Sequence, residues 1–292
     1  MKVIIIKKIF KVYIIILILF TIYLLLDTFV IARSYKTIKI DNNNNLDKGN
    51  IISKENSYED DNIKISLTTY REYDTDIYVA DIILKDNSLL KTAFANNTYG
   101  KNVVDKTSNI ANKVNAILAI NGDYYGVQNS GYVLKNGVIY RNTSAGKEDL
   151  VIYKDGTLKI INENDVTLEE LLEDGAYNVL SFGPSLINNS EITVSTTDEV
   201  SKAMTSNPRT AIGKIDDNHY VFVVSDGRTN VSEGLSLYEL ATFMKKLGVN
   251  IAYNLDGGGS STMYFNGKVI NNPTTMGKIK ERSVSDIVYV GY

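Results

Sequence analysis

From residue 63 onward the chain is written as short apolar runs separated at close intervals by turn residues, a pattern that leaves little choice but hairpins. Residues 63–70 and 77–84 read as strands, 103–114 as a helix, and 116–120 as a buried strand entering Asn121-Gly122-Asp123-Tyr124-Tyr125. Residues 132–140 carry Asn136-Gly137 at their centre, the type I′ hairpin signal, because both residues accept the positive φ that this turn demands; residues 151–161 repeat the signal with Asp155-Gly156. Residues 167–173 form a short helix closed by Gly175, and 211–215 pairs with 220–224 across Asp216-Asp217-Asn218. In 237–247, Leu237, Leu240, Ala241 and Met244 recur at helical spacing before Gly248 stops the helix. Strands at 263–265, 268–270 and 287–290 complete the set. Many hairpins and few helices predict an α+β fold: a single domain of mixed or antiparallel sheets.

The first 33 residues belong to a different environment. Lys2, Lys7, Lys8 and Lys11 precede an uncharged run over residues 12–26, interrupted at Asp27 and continued by Phe29, Val30, Ile31 and Ala32 to Arg33. A spanning helix needs about 20 apolar residues, which this run supplies if Asp27 lies at the outer interface. No small-x-small cleavage pattern precedes Arg33, so an uncleaved transmembrane anchor is favoured over a signal peptide. Either way the lysines stay inside. The expected location is therefore the cell membrane, single-pass, with the C-terminal domain extracellular. Residues 34–62, with the polar tract Asn42 to Asn45, read as a tether too polar to offset its own ordering entropy. The division is 1–33 anchor, 34–62 tether and 63–292 globular domain.

Composition narrows the chemistry. The net charge is -3 and basic runs are confined to the extreme N-terminus, so nucleic acid is not an expected partner. Cysteine is absent, which removes disulfides, thiolate metal sites and a Cys nucleophile. The one histidine, His219, opens a hairpin strand and reads as a surface residue. Catalysis falls to carboxylates, arginines and backbone donors.

Those residue types gather at strand ends. Asn254-Leu255-Asp256-Gly257-Gly258-Gly259-Ser260-Ser261 follows an apolar run. Three glycines there leave amides unshielded and able to approach an anion, beside the Asp256 carboxylate and short hydroxyl donors; a plain tight connection is the bland alternative. Asn207-Pro208-Arg209-Thr210 and Ser225-Asp226-Gly227-Arg228 flank the open end of one hairpin, which makes neighbours of Arg209 and Asp226. A structural salt bridge would use the same pair. Ser236-Leu237-Tyr238-Glu239 fits a capping box, in which Glu239 only satisfies a helix N-terminus. Asn121-Gly122 favours a turn by itself, and Arg282 precedes the last strand, where it can equally be solvated.

Taken together, Asn121-Gly122, Pro208-Arg209-Thr210-Ala211-Ile212-Gly213, Asp226-Gly227-Arg228, the 234–241 segment, Asn254 to Ser261 and Glu281-Arg282-Ser283-Val284 resemble the ordered motifs of the phosphodiester glycosidase family, from about residue 100 onward. The resemblance implies hydrolysis of a sugar-1-phosphate diester. It places Asp256, Asp226 and Glu239 as candidate catalytic carboxylates, and Arg209, Arg228, Arg282, Asn121, Asn254, Gly257, Gly258, Gly259 and Ser260 as candidate substrate-binding residues. Where the family often carries Gly and Phe, this chain has Asp123, Tyr124 and Tyr125, so no catalytic role is assigned to Asp123.

The chemistry suits that inventory. Cleaving the anomeric C–O bond expels a phosphate monoester, a stable anion that needs little general-acid help, so the carboxylate pair of ordinary glycosidases is dispensable. Arginines suit the phosphate by bidentate pairing, and Asp256 or Asp226 suits the oxocarbenium-like centre or an attacking water. The expected partner is a phosphate-containing glycan of the cell surface or an exopolysaccharide in the cell envelope. No cofactor is expected, although calcium or magnesium held by Asp226 and Asp256 stays open. Two other classes share these features: a non-catalytic reader of anionic glycans, and a membrane-anchored transferase of phosphate-linked wall polymers.

Overall fold

A computed structural model describes residues 2–38, 46–196 and 206–292; the Asn42 to Asn45 tract lies outside them. The apolar N-terminus is one helix, α1 (Lys2–Phe29), of which Lys7–Phe29 is long and apolar enough to cross a bilayer. The remaining chain is dominated by two antiparallel sheets. A nine-stranded sheet runs in the order 191–192, 185–188, 251–255, 209–216, 219–225, 75–84, 63–72, 57–59 and 52–54. A five-stranded sheet runs 268–269, 263–265, 118–121, 286–290 and 90–94.

The apolar runs explain the layering. Ile63, Ile65, Ile82 and Phe222 from the large sheet meet Leu118, Ile120, Phe265 and Val288 from the small one in a single buried cluster. The opposite face of the large sheet is covered by α4 (Leu237–Lys246), which lays Leu237, Leu240, Ala241 and Met244 on Val221, Val223 and Ala252. The opposite face of the small sheet is covered by α2 (Thr107–Lys113) through Ile110 and Ala111 against Ala119 and Ile287. Strands sandwiched in this way are apolar on both faces, which is why Tyr220 to Val224 is an uninterrupted buried run. α3 (Leu168–Glu173), opened by a Thr167 capping box, packs on a separate three-stranded sheet of 148–153, 158–162 and 176–180.

The predicted α+β architecture stands, with every described strand pair antiparallel. Three local expectations need correction. Residues 34–62 are not simply a spacer: 33–37 pairs with 98–101, while 52–54 and 57–59 extend the large sheet. Tyr58 supplies the missing reason, since it buries its ring in the core and donates through its hydroxyl to Asp60 at 2.7 Å. The Asn136-Gly137 hairpin has φ of 51° and 76°, as type I′ requires, whereas at Asp155-Gly156 only the glycine is positive and a longer loop results. The helix expected from residue 103 begins at 107, because Asp105 bridges to Val284 by two backbone bonds and holds the preceding residues extended.

Candidate active site

Antiparallel pairing delivers the candidate residues to neighbouring strand ends. Thr210 faces Leu255 and Arg209 faces Ser225, so the loops after 225 and 255 leave the large sheet side by side. Asn121 ends a strand of the small sheet and closes the gap between the layers. Its Nδ2 donates to the Asp256 carbonyl at 2.6 Å, while its Oδ1 accepts from Thr210 Oγ1 at 2.8 Å and from the Thr262 amide at 3.3 Å. Asn121 is thus a staple between sheets rather than a group facing a ligand. Asn254 differs, since its Nδ2 donates to the Gly183 carbonyl at 2.7 Å while its buried Oδ1 has no hydrogen-bond partner among the described residues.

The glycine loop differs from its expected form. The amides of Gly258, Ser260 and Ser261 donate to the carbonyls of Pro208, Gly257 and Gly258 at 2.8, 3.3 and 3.2 Å, so the loop does not present them as free donors. The glycines serve close approach instead. A Cβ on Gly257 would lie 2.9 Å from the Pro208 oxygen and 3.9 Å from Arg209 Cδ. On Gly258 it would lie 3.1 Å from Arg228 Nη1, and on Gly259 it would lie 2.5 Å from Thr275 Oγ1 and 3.4 Å from Arg282 Cβ. Gly257 thus makes room for the Pro208 carbonyl, Gly258 for the Arg228 guanidinium and Gly259 for Thr275, with Arg209 and Arg282 in ordinary contact beside them. Of the expected donors, the arginines lie at the loop, whereas the Gly258, Ser260 and Ser261 amides are already engaged.

Each arginine is aimed by a separate device. Arg209 donates from Nε to the Leu235 carbonyl at 2.8 Å. Arg228 adopts φ 60°, an unfavourable conformation for a side-chain-bearing residue, and fixes its fork on Asn207 Oδ1 at 3.0 and 2.7 Å. Arg282 donates from Nη2 to Asp256 at 3.1 and 3.3 Å and to the Gly257 carbonyl at 3.1 Å, and from Nε to Ser260 Oγ at 2.9 Å. The Ser260 hydroxyl in turn donates a hydrogen bond to Asp256 Oδ2 at 2.6 Å. The Arg282 side chain is 42% exposed and that of Asp256 13%, so the cation sits above the carboxylate and meets solvent first.

Asp226 and Arg209 do not pair, although their strands end together. Asp226 accepts from the Asn272 amide and Nδ2 at 2.8 and 2.9 Å, from Asn271 Nδ2 at 3.3 Å and from Tyr78 at 3.2 Å. Asn271 also donates to the Ser261 carbonyl at 2.9 Å, which ties this second carboxylate to the end of the glycine loop. Tyr78, Asn271, Asn272 and Thr275 were not singled out in the sequence; Asn271-Asn272-Pro273 reads only as a turn. Glu239 occupies the capping box of α4, its Oε2 accepting from the Ser236 amide at 2.8 Å and from Ser236 Oγ at 2.9 Å. The oxygens of Asp226 and Asp256 are engaged by separate sets of donors, an arrangement better suited to an anion over Arg282 than to a cation shared between them.

Beneath the loop lies a dry charge cluster. Lys135 donates to Asp286 at 2.7 Å and to Asp123 at 3.2 Å, with all three side chains at most 2% exposed. Asp286 lies against Gly122, where a Cβ would come within 2.4 Å of its carboxylate. The Gly122 carbonyl in turn receives the Asp256 amide at 3.4 Å.

Burial pushes the Asp256 carboxyl above the ordinary aspartate range, while Arg282 and the Ser260 hydroxyl pull it back. If the ionised form is the active one, kcat/KM falls on the acid side through a pKa above about 3.9, the usual aspartate value. Arg282→Gln removes the charge that holds the carboxyl down and is expected to move that limb to higher pH. A pH–rate profile of both forms checks this, and an unmoved limb assigns the ionisation to another group.

The family model for phosphodiester glycosidases matches residues 114–291, more than half of the chain and all of the loops described above except Tyr78. The chain belongs to the phosphodiester glycosidase family. Human N-acetylglucosamine-1-phosphodiester alpha-N-acetylglucosaminidase is 34% identical over 173 residues, 54% of this chain and 33% of that protein. The SPbeta prophage-derived protein YomE of Bacillus subtilis is 32% identical over 176 residues, 59% of this chain and 26% of that protein. The chain thus spans a third or less of the curated relatives' length. Among solved structures, the zebrafish N-acetylglucosamine-1-phosphodiester alpha-N-acetylglucosaminidase catalytic domain, auto-inhibited by its pro-peptide, has TM-score 0.63 at 20% identity, covering 90% of this chain and 89% of that one. A Synechocystis protein has TM-score 0.58 at 15% identity, covering 78% and 62%. These structures share the fold of this phosphodiester glycosidase family member.

Proposed function

We propose that this phosphodiester glycosidase family member is a membrane-anchored, extracytoplasmic hydrolase that cleaves the anomeric C–O bond of a sugar-1-phosphate diester in cell-surface or exopolysaccharide material. The observation that carries the reading is the packing of Arg209, Arg228 and Arg282 against three successive glycines beside the buried Asp256. A diester phosphate seated over the loop meets planar forks that pair with its oxygens and neutralise the departing phosphate monoester. As the phosphate draws Arg282 toward itself, Asp256 loses part of its counter-charge and becomes more basic. It is then placed to stabilise the oxocarbenium-like centre or to take a proton from the attacking water.

The test is to incubate the full-length chain in detergent with a panel of sugar-1-phosphodiesters and identify products by mass. A free sugar and a phosphate monoester support the reading; glycan binding without turnover replaces it with a binding module. Arg282→Lys keeps the charge but loses the fork, so kcat/KM is expected to fall by about 10–100-fold, the equivalent of one or two charge-assisted hydrogen bonds. The melting temperature is expected to change little, because Arg282 is half-exposed. Unaltered kinetics would return Arg282 to a structural partner of Asp256. Arg209→Lys is different, since Arg209 is buried and holds the Leu235 carbonyl, and is expected to cost stability as well as activity.

A further inference from the structure

We propose that a small cationic cavity between the juxtamembrane strand and the domain binds the phosphate of an anionic lipid headgroup and so docks the catalytic domain on the bilayer. The inference rests on the anchor reading of α1 and is independent of the hydrolase reading.

The cavity has a volume of about 100 Å³, enough for one phosphate group, and is lined by Tyr35, Lys101, Tyr125, Gln128, Asn129 and Arg141 among others. No acidic residue lines it among the described residues. Arg141 is fixed by three carbonyls: Nε donates to Gly131 at 2.7 Å, and Nη1 donates to Gln128 at 2.6 Å and Tyr125 at 3.2 Å. Its Nη2, and the hydroxyl of Tyr125, which is 1% exposed, are buried without a hydrogen-bond partner. Buried donors without acceptors are rare, and two at one cavity call for an acceptor such as a phosphate oxygen.

Position names the source of that phosphate. Asn102 donates from Nδ2 to the carbonyls of Thr28 and Ile31 at 3.2 and 3.1 Å, fastening the domain to the end of α1. The next residues pair directly with the cavity wall, Arg33 opposite Lys101 and Ser34 opposite Gly100. Asp27, the last acidic group of the helix, pairs with Arg33 and marks the outer edge of the apolar span. Two or three extended residues cover about 7–10 Å, comparable with the headgroup layer of roughly 5–8 Å beyond the hydrocarbon. Tyr35, tilted at 53° against Tyr99 with centroids 5.7 Å apart, and Lys36 over Tyr140 at 4.9 Å add the aromatic and basic groups that favour this depth.

The experiment places the full-length chain in nanodiscs of phosphatidylcholine, alone or mixed with phosphatidylglycerol, and reads amide hydrogen exchange in residues 98–101 and 125–129. Exchange is expected to slow about fivefold when phosphatidylglycerol is present, and this slowing is expected to be lost in Arg141→Gln and reduced in Lys101→Gln. Lys101→Gln, on a partly exposed side chain, keeps the test valid if Arg141→Gln fails to fold. Equal exchange in the two lipids overturns the proposal. So does equal protection from inorganic phosphate in phosphatidylcholine discs, which makes free phosphate the ligand. A chain that does not enter the discs overturns the anchor reading and the proposal together, and leaves the hydrolase reading standing.

Discussion

Replacing Asp256 by Asn is expected to lower kcat by about a hundredfold or more with KM little changed, because the substitution keeps size and hydrogen bonding and removes only the negative charge beside the developing cation. The local structure should survive the change. Asn accepts from Ser260 and Arg282 through its remaining oxygen, and the backbone is still held by Asn121 at 2.6 Å. Steady-state kinetics on the best sugar-1-phosphodiester measures the effect, with Glu239→Gln as the control. A Gln at 239 still accepts from the Ser236 amide and closes the capping box, so a Glu239 engaged only there leaves the rate unchanged. Loss of turnover in Glu239→Gln with turnover retained in Asp256→Asn would transfer the reactive role to α4.

The second large effect concerns stability. Lys135→Met fills the same space but leaves Asp123 and Asp286 without their shared cation, and is expected to cost about 3–5 kcal/mol at pH 8, the range for breaking a buried ion pair. Urea denaturation of the full chain measures it. The sign of the pH dependence is fixed by burial, which already pushes Asp286 up to about 7 against an ordinary aspartate near 3.9. A carboxyl whose folded pKa is raised favours the folded state below its unfolded pKa and loses that contribution as pH rises through the folded one. The variant's deficit should therefore grow as pH rises above about 7, where the native Asp286 ionises beside Lys135 and the variant's carboxyl, raised further by loss of the lysine, resists doing so. A flat pH dependence would show that the carboxyls rehydrate once the lysine is gone. Adding Asp286→Asn to Lys135→Met should recover part of the loss, because it removes one of the two stranded charges.

Local rules were legible where local physics decides the outcome. Asn136-Gly137 gave its turn, Leu237 to Met244 its helix, and Ser236 with Glu239 its cap, since each depends on residues within a turn of one another. The candidate site was legible only as a set of strand-end motifs, of which the structure brings Arg282 onto Asp256 from 26 residues away. What the sequence hid is which groups face which. Arg209 and Asp226 end paired strands, but their side chains find Leu235 and Asn272 instead of each other. The Lys135 cluster is unreadable for the same reason, because a lysine beside Asn136-Gly137 looks like a solvated turn residue until Asp286 arrives from 151 positions away. In residues 34–62 a few apolar side chains, Tyr58 among them, outweigh a polar average once a sheet edge is there to receive them.

The placement of the 286–290 strand carries a consequence for biosynthesis. It lies between 118–121 and 90–94, so the small sheet stays split until the final stretch of this sequence has been made and threaded between two strands synthesised long before. Asp286, and Arg282 just ahead of it, arrive in the same late step. A nascent chain thus carries an unclosed seam and an incomplete candidate site, and closing it means pairing strands far apart in sequence, an inherently slow process. Catalytic competence and completion of the fold become one event, and a ribosome that stalls before residue 286 releases a product that is both inactive and prone to aggregate.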